Sequence, residues 1–299
     1  MPSLSVVVPA TNAPRTLAAC LDAIRASEEP PEDVVVVDEG GGGPAKARNR
    51  GAMRATGDVL VFVDADVLVH PDAFSRIRRA FDGDPDLAAL FGAYDDSPAD
   101  PGTVSQFRNL LHHHVHQEGA GPATTFWAGL GAVRRQAFEA VGGFDEVRYE
   151  VPSVEDIDLG MRLAAAGRRI LLDPTVQGTH LKRWTVRGML ETDVWHRGVP
   201  WTELLMRYGV RSSALNLGRK HRVSAALSVV AVLSLLRGRV RTTVLALAGL
   251  VALNRSFYAL LARRRGNAEA ALGVGLHVLH HLAGVAAVPI ALAERLRKR

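Results

Sequence analysis

The sequence predicts an open α/β sheet followed by a separate apolar helical region. Three observations carry that reading. The runs Leu4–Pro9, Val34–Gly40 and Val59–Val67 are β-branched and apolar, as strands buried on both faces are. Segments of helical spacing separate them without a hairpin signal, which argues for a parallel, doubly wound arrangement. Charge then splits along the 299 residues: positions 201–299 hold sixteen Lys/Arg against three Asp/Glu, a formal +13, whereas the first 200 carry −8.

Taken in order, Leu4–Pro9 is the first strand and is too short for the apolar core of a leader peptide. Thr11 and Asn12 are candidate caps for a helix with Leu17, Leu21 and Ile24 on one face, ended by Pro30-Pro31. Val34–Gly40 is the second strand, and a helix runs from Lys46 to Ala55. Val59–Val67 is the third strand, followed by a helix over Pro71–Phe81 and a strand over Leu87–Tyr94. Phe107–Gln117 reads as a helix bearing His112, His113, His114 and His116, expected to be exposed or to face an acceptor. Phe126–Arg134 is strand-like, Gln136–Val141 and Val154–Ala166 are helices, and Arg169–Leu172 is a strand stopped by Asp173-Pro174.

Beyond residue 200 three apolar segments, Val223–Leu236, Val240–Ala262 and Ala268–Ala293, alternate with arginine clusters. The first is 14 residues long, short of the roughly 20 that a spanning helix needs. Apolar helices edged by arginines suit a lipid surface better than a small soluble core, so the basic pI of about 9.8 points to a membrane and not to nucleic acid. Residues 1–205 are read as the α/β domain and 206–299 as a basic, hydrophobic membrane-associated region. A lone cysteine, Cys20, excludes a disulfide framework and a multi-cysteine zinc centre.

Asp64-Ala65-Asp66 is the most informative feature. Alternation along an extended backbone puts both carboxylates on one side, at the carboxyl end of a parallel strand where open α/β sheets bind ligands. Two close carboxylates repel unless a cation sits between them, and all-oxygen ligation favours Mg²⁺ or Mn²⁺ completed by phosphate oxygens. Asp38 ends the second strand at the same crevice. Gly40–Gly43 lacks the spacing of a phosphate cradle and reads as a flexible loop. Lys46, Arg48, Asn49 and Arg50 open the next helix, some of them facing a diphosphate and some solvent.

In Ser153-Val-Glu155-Asp156-Ile-Asp158 a helix begins near Glu155, with Ser153 as its cap. A carboxylate there is either favoured by the helix dipole or held as a general base. Asp158 is expected to be solvated or paired with Arg162 four residues on. His180 follows the last strand and is balanced between metal ligation and an ordinary hydrogen-bonded role. Trp184, beside Lys182 and Arg183, would wall a sugar or an acceptor, or dock at a membrane interface.

Six pieces in order, SVVVPATN, VVVVDEG, AKARNRGAMRATGDVLVFVDADV, WAGLGAVRRQAFEAVGGFDE, EDIDLGMRLAAAG and GTHLKRW, resemble the family 2 glycosyltransferases of GT-A fold across residues 4–184. The resemblance implies an open mixed sheet with flanking helices and a nucleotide diphospho-sugar donor. It implies donor contacts from Pro9, Thr11, Asp38, Lys46, Arg48, Asn49, Asp64 and Ala65. It implies Mg²⁺ or Mn²⁺ on Asp66, with His180 as a further metal or diphosphate contact. It selects Asp156 as base with Glu155 beside it, and puts the acceptor near Gly129, Arg183 and Trp184. The usual Asp-Asp-Gly-Ser of the second strand is replaced by Asp38-Glu39-Gly40-Gly41, and the Gln-x-x-Arg-Trp of processive synthases by His180-Leu-Lys-Arg183-Trp184, which favours transfer of one sugar. The implied reaction inverts the anomeric carbon of one sugar as it passes to a hydroxyl or phosphate acceptor, lipid-linked or on a glycan of the cell envelope. The catalytic domain is expected in the cytoplasm, at the cell membrane. A non-catalytic nucleotide-sugar-binding scaffold and a nucleotidyltransferase are the rival readings; Pro9-Ala-Thr-Asn-Ala-Pro-Arg lacks the glycine loop the latter needs.

Overall fold

The computed structural model describes residues 1–11, 14–39, 41–209 and 218–297. The chain divides into two compact units. The first comprises residues 1–99 and 116–182, the second 100–115 and 183–299. The division falls at 182/183 and not at the expected 205/206, because the change in composition marks where apolar runs begin, not where packing partners change. Residues 100–115 belong with the C-terminal part: Phe107, Leu110 and Leu111 pack in one core with Met189, Phe257 and Leu276.

The first unit is built on β1 (Leu4–Pro9), β2 (Asp33–Val37), β3 (Val59–Val63), β4 (Val67–Val69), β5 (Leu87–Tyr94), β6 (Gly121–Ala123), β7 (Leu130–Arg134) and β8 (Arg169–His180). Their order is β2-β1-β3-β7-β5-β8-β4, with β6 paired to β8. β1 lies parallel to β2 and β3, and β5 parallel to β8, whereas β7 runs antiparallel to β3 and β5. The sheet is therefore mixed: the parallel arrangement that the strand-helix alternation suggests holds for β2, β1 and β3, and the antiparallel β7 separates these from the parallel pair β5 and β8. Helices α1 (Leu17–Arg25), α2 (Gly43–Arg54), α3 (Ala73–Gly83), α5 (Arg135–Ala140) and α6 (Glu155–Ala165) flank it. α4 (Thr103–Glu118) carries the chain from the second unit back to the first.

Four local expectations are corrected. α1 begins after Thr16, five residues beyond Thr11, and Asn12 lies outside the described residues, as does Gly40. The stretch Val59–Val67 is two strands joined by a turn, closed by the Val67 amide on the Asp64 carbonyl (2.9 Å). β8 does not stop at Asp173-Pro174. Its pairing jumps from Phe91↔Leu172 to Ala93↔Gln177, so the proline, which has no amide hydrogen to donate, sits in a bulge and the strand runs on to His180. His114 and His116 on α4 are buried: His116 Nδ1 lies 2.8 Å from the Gly92 carbonyl, and the His114 ring lies against Phe257.

The second unit adds α7 (Val186–Glu191), a π-helical segment Thr192–Gly198, α8 (Val199–Tyr208), α9 (Arg219–Leu236), α10 (Val240–Leu253), α11 (Arg255–Arg265) and α12 (Asn267–Arg297). The expected segment Val240–Ala262 is broken at Asn254, where α10 and α11 meet at 80°. Among the described residues α12 is long and apolar enough to cross a membrane, and the bent pair passes the same test as one span.

Candidate active site

The site is assembled where β1, β2 and β3 end, around the Asp64–Asp66 turn. Pro9 and Thr11 are partly exposed there, and Asp38 is exposed at the end of β2. Gly41, Gly42 and Gly43 all take positive φ and lead into α2. They are not a merely flexible linker: a Cβ on Gly43 would collide with the Glu150 carbonyl, so only glycine lets α2 start against the 144–151 segment.

In the second turn of α2, Arg48 is 5 % exposed and reaches both halves of the site. One guanidinium nitrogen donates to Asp64 Oδ1 at 2.7 Å, the other to Glu155 Oε1 at 2.8 Å. Burial opposes the arginine's charge, but Asp64, Glu155 and Asp156 outweigh it and hold the guanidinium ionised. Glu155 is buried, and its second oxygen accepts from the Ser153 amide at 2.9 Å. The expected Ser153 cap is thus reversed: the Glu155 carboxylate takes the amide hydrogen, and α6 has no side-chain cap.

Asp156 is partly exposed beside it. Its Oδ2 accepts from the Ala128 amide (3.2 Å) and its Oδ1 from the Ile157 amide (2.8 Å). The next carbonyl, that of Gly129, accepts from the Asp64 amide at 3.1 Å. The dipeptide Ala128-Gly129 therefore ties the β3–β4 turn to the start of α6. Gly160 allows this approach, since a Cβ there would strike the backbone of Thr125 and Phe126. Asp158, buried and not solvated, pairs with Arg162 at 2.8 Å, the i+4 partner the spacing suggests.

Asp66 faces the other way. Its Oδ2 lies 3.3 Å from His180 Nε2, and the register Val67↔His180 fixes that pairing. The two carboxylates of the turn are therefore not on one side of an extended strand: Asp64 is committed to Arg48, Asp66 to His180. The His180 ring stacks on Tyr94 (4.2 Å between centroids), and Tyr94 meets Trp127 edge-on at 4.8 Å. Burial works against ionisation of Asp66, but the hydrogen bond and charge of His180 and the charge of Lys182 outweigh it, and the carboxyl titrates below its ordinary value. Among the described residues no three His, Cys, Asp or Glu groups stand ready to enclose a metal. The Asp66–His180 spacing nonetheless matches adjacent ligands on one small divalent ion, about 3 Å for bonds of about 2.1 Å. Two protein donors completed by phosphate oxygens is a mode Mg²⁺ and Mn²⁺ commonly take, so these residues fit such an ion.

Asn49 is not turned to the site. Its amide donates to the Phe144 carbonyl and to Glu146, and accepts from the Phe144 amide, which clamps the Gly142–Glu146 loop. Arg183 and Trp184 belong to the second unit, where the Trp184 ring lies under the Arg108 guanidinium and its amide donates to Ser105. Lys46 lies close to Gly42 at the start of α2. Sequence reasoning missed the Ala128 amide and Tyr94. Tyr94 was discoverable, as the last residue of a strand ending at the same crevice; the role of a backbone amide leaves no trace in residue type.

Residues 39–142 match the family model described as Glycosyl transferase family 2. The pre-mycofactocin glycosyltransferases of two Mycobacterium tuberculosis strains, CDC 1551 / Oshkosh and ATCC 25618 / H37Rv, are each 28% identical over 162 residues, covering 52% of this chain and 34% of theirs. The aligned region thus spans about a third of the length of these curated relatives. Among solved structures, the mannosyltransferase PcManGT from Pyrobaculum calidifontis, in complex with GDP-Man and Mn²⁺, has a TM-score of 0.58 at 17% identity, covering 95% of this chain and 87% of that one, and so shares its fold. The fold is GT-A, and residues 39–142 within it carry the match to Glycosyl transferase family 2.

Proposed function

We propose that this chain transfers one sugar from a nucleotide diphospho-sugar to a hydroxyl or phosphate acceptor, inverting the anomeric carbon, with Asp156 as the base. The observation that carries the assignment is the Arg48 bridge. A base must reach the acceptor, and Glu155 is buried with its carboxylate turned to Arg48. Asp156, partly exposed on the same helical turn and bound through Ala128 to the segment that holds Asp64, is the carboxylate suited to the task. Asp64 and Arg48 orient the donor, and Pro9, Thr11, Asp38 and Lys46 contact it where β1, β2 and α2 meet.

Asp66 and His180 would hold the divalent ion, and the imidazole nitrogen inclines the pair to Mn²⁺ over Mg²⁺. Such an ion, when bound, offsets the charge that develops on the diphosphate leaving group. The chain's own part is to hold the acceptor oxygen against Asp156 on the face opposite the diphosphate, so that one displacement at the anomeric carbon inverts it. The basic, apolar second unit would keep the enzyme at the cell membrane with its catalytic unit in the cytoplasm, which fits a lipid-linked acceptor.

A thermal-shift screen of nucleoside diphosphates and diphospho-sugars with Mn²⁺ tests the donor reading. A ligand that binds the native state raises the melting temperature, and the rise is expected to vanish in Asp66→Ala. No shift with any purine or pyrimidine diphosphate would count against it.

A further inference from the structure

The pair α9–α10 has its polarity inverted. On α9 the buried positions are Ser224, Ser228, Ala231 and Ser234; on α10 they are Thr243, Ala246 and Leu250, with Asn254 capping its end. These form the seam between the two helices. Asn254 Nδ2 donates to Ser224 Oγ at 2.9 Å, and Ser228 Oγ to the Ser224 carbonyl at 2.8 Å. Leu250 aside, large aliphatic side chains point outward: Val230, Leu233, Leu236, Val244 and Leu245 are 43–77 % exposed. A soluble helix pair buries its leucines and exposes its serines. Here hydroxyls, an amide and small residues make the contact while branched aliphatics face out, the pattern of helices packed within hydrocarbon.

We propose that α9–α10 is a hairpin immersed in the acyl chains of a lipid bilayer, with basic groups at both ends on headgroup phosphates. The occupant of the exposed faces is lipid because both ends carry matching charge: Arg219, Lys220 and Arg222 at the root, Arg237, Arg239 and Arg241 at the tip. Each leg, Val223–Leu236 of α9 and the 14-residue α10 with Arg241 in its first turn, offers at most about 21 Å against a hydrocarbon core of about 30 Å. Arginine stems that snorkel, together with local thinning, close that difference. Asn254 at the end of α10 then has a structural reason: in hydrocarbon its amide needs a partner, and Ser224 and the Leu250 carbonyl supply one. The inference rests on the membrane reading of the second unit, not on the glycosyl-transfer reading.

The test places single spin labels on the full chain in a Cys20→Ala background, reconstituted in vesicles of phosphatidylcholine and phosphatidylglycerol. Labels go on Val230 and Leu245, with Leu233 and Val244 as second sites, and on Arg239 at the tip. All are exposed, so labelling leaves the seam intact. Collisional relaxation by oxygen is expected to exceed that by a water-soluble nickel chelate at the four leg sites, and the order is expected to reverse at Arg239. Nickel access at the legs equal to that at the tip would overturn the proposal by showing a water-facing hairpin. Low access to both reagents would overturn it by showing a protein-covered one. Protein that sediments with vesicles yet has water-facing legs would refute the hairpin while leaving membrane association through α12 intact.

Discussion

The core of the first unit and the α9–α10 pair bury opposite things. In β1 and β3 the valines and leucines are wholly inside, and a charged group is buried only with a charged partner, as Arg48 is with Glu155. In α9 and α10 serines, a threonine and an asparagine are inside with Leu250, and most of the exposed side chains are aliphatic. Both arrangements follow one rule, that a polar group taken from water needs a partner. The difference teaches that a count of apolar residues does not tell a buried core from a lipid-facing surface; which residues are hidden does.

The largest expected effect in the first unit comes from Arg48. Arg48→Met would leave Glu155 charged and buried without its partner, at a cost of about 3 kcal/mol, the low end for a broken buried pair because Asp64 keeps some contact with water. Thermal unfolding checks this. As a control, Arg54→Ala breaks the exposed pair with Glu39 and is expected to change stability by well under about 1 kcal/mol. Comparable losses in the two variants would mean that the Arg48 bridge is not structural.

Next is a substitution that separates the two regions. Leu245→Asp on the outward face of α10 should leave the chain folded in detergent and weaken its membrane partition, because a carboxylate within hydrocarbon costs about 3 kcal/mol. Val61→Asp in β3 should instead prevent folding in any medium, since Val61 is fully buried among aliphatic neighbours. Sedimentation with vesicles and circular dichroism read the two outcomes; unfolding of Leu245→Asp in detergent would put Leu245 in a protein core.

How much of this was legible in the sequence varies by element. β1, β3 and β5 announce themselves as unbroken apolar runs, and Asp64, Asp66 and Asp156 stand out because carboxylates at strand ends and helix starts are conspicuous. The turn inside Val59–Val67 is hidden because valines flank it on both sides, so two strands read as one. The proposed preference for Asp156 over Glu155 rests on Arg48, which is 107 positions away from Glu155 in the chain. Assignment of residues 100–115 to the second unit needed the packing of Phe107 on Phe257, which no local pattern encodes.

The smallest expected effect concerns His70 and Asp95, 3.0 Å apart on the β4–β5 side of the sheet. The hydrogen bond to Asp95 raises the His70 pKa above its ordinary value. Burial opposes ionisation of Asp95, yet His70 and Thr179 hold its carboxyl below the usual range. The His70 contribution is therefore complete below the unfolded histidine value and is lost as pH rises through the raised folded value. The Asp95 contribution is present above the unfolded carboxyl value and is lost as pH falls through its depressed one. The gap in melting temperature between the wild type and His70→Gln should be widest near pH 5 and close above neutrality. Because His70 is about one-third exposed, the stabilisation stays under about 1 kcal/mol.

The central claim is that Asp156, and not the ion-paired Glu155, takes the acceptor proton. The most direct measurement is turnover of Asp156→Asn and Glu155→Gln with the donor identified by the thermal-shift screen and its true acceptor, alongside calorimetric donor affinity in the presence of Mn²⁺. Donor hydrolysis without acceptor does not serve, because water can enter without that base. Asp156→Asn should keep donor affinity and lose at least about 100-fold in turnover, the scale of a lost general base. Glu155→Gln should lose less in turnover and show its main effect in stability. Near-normal turnover in Asp156→Asn would contradict the account and move the base to another carboxylate.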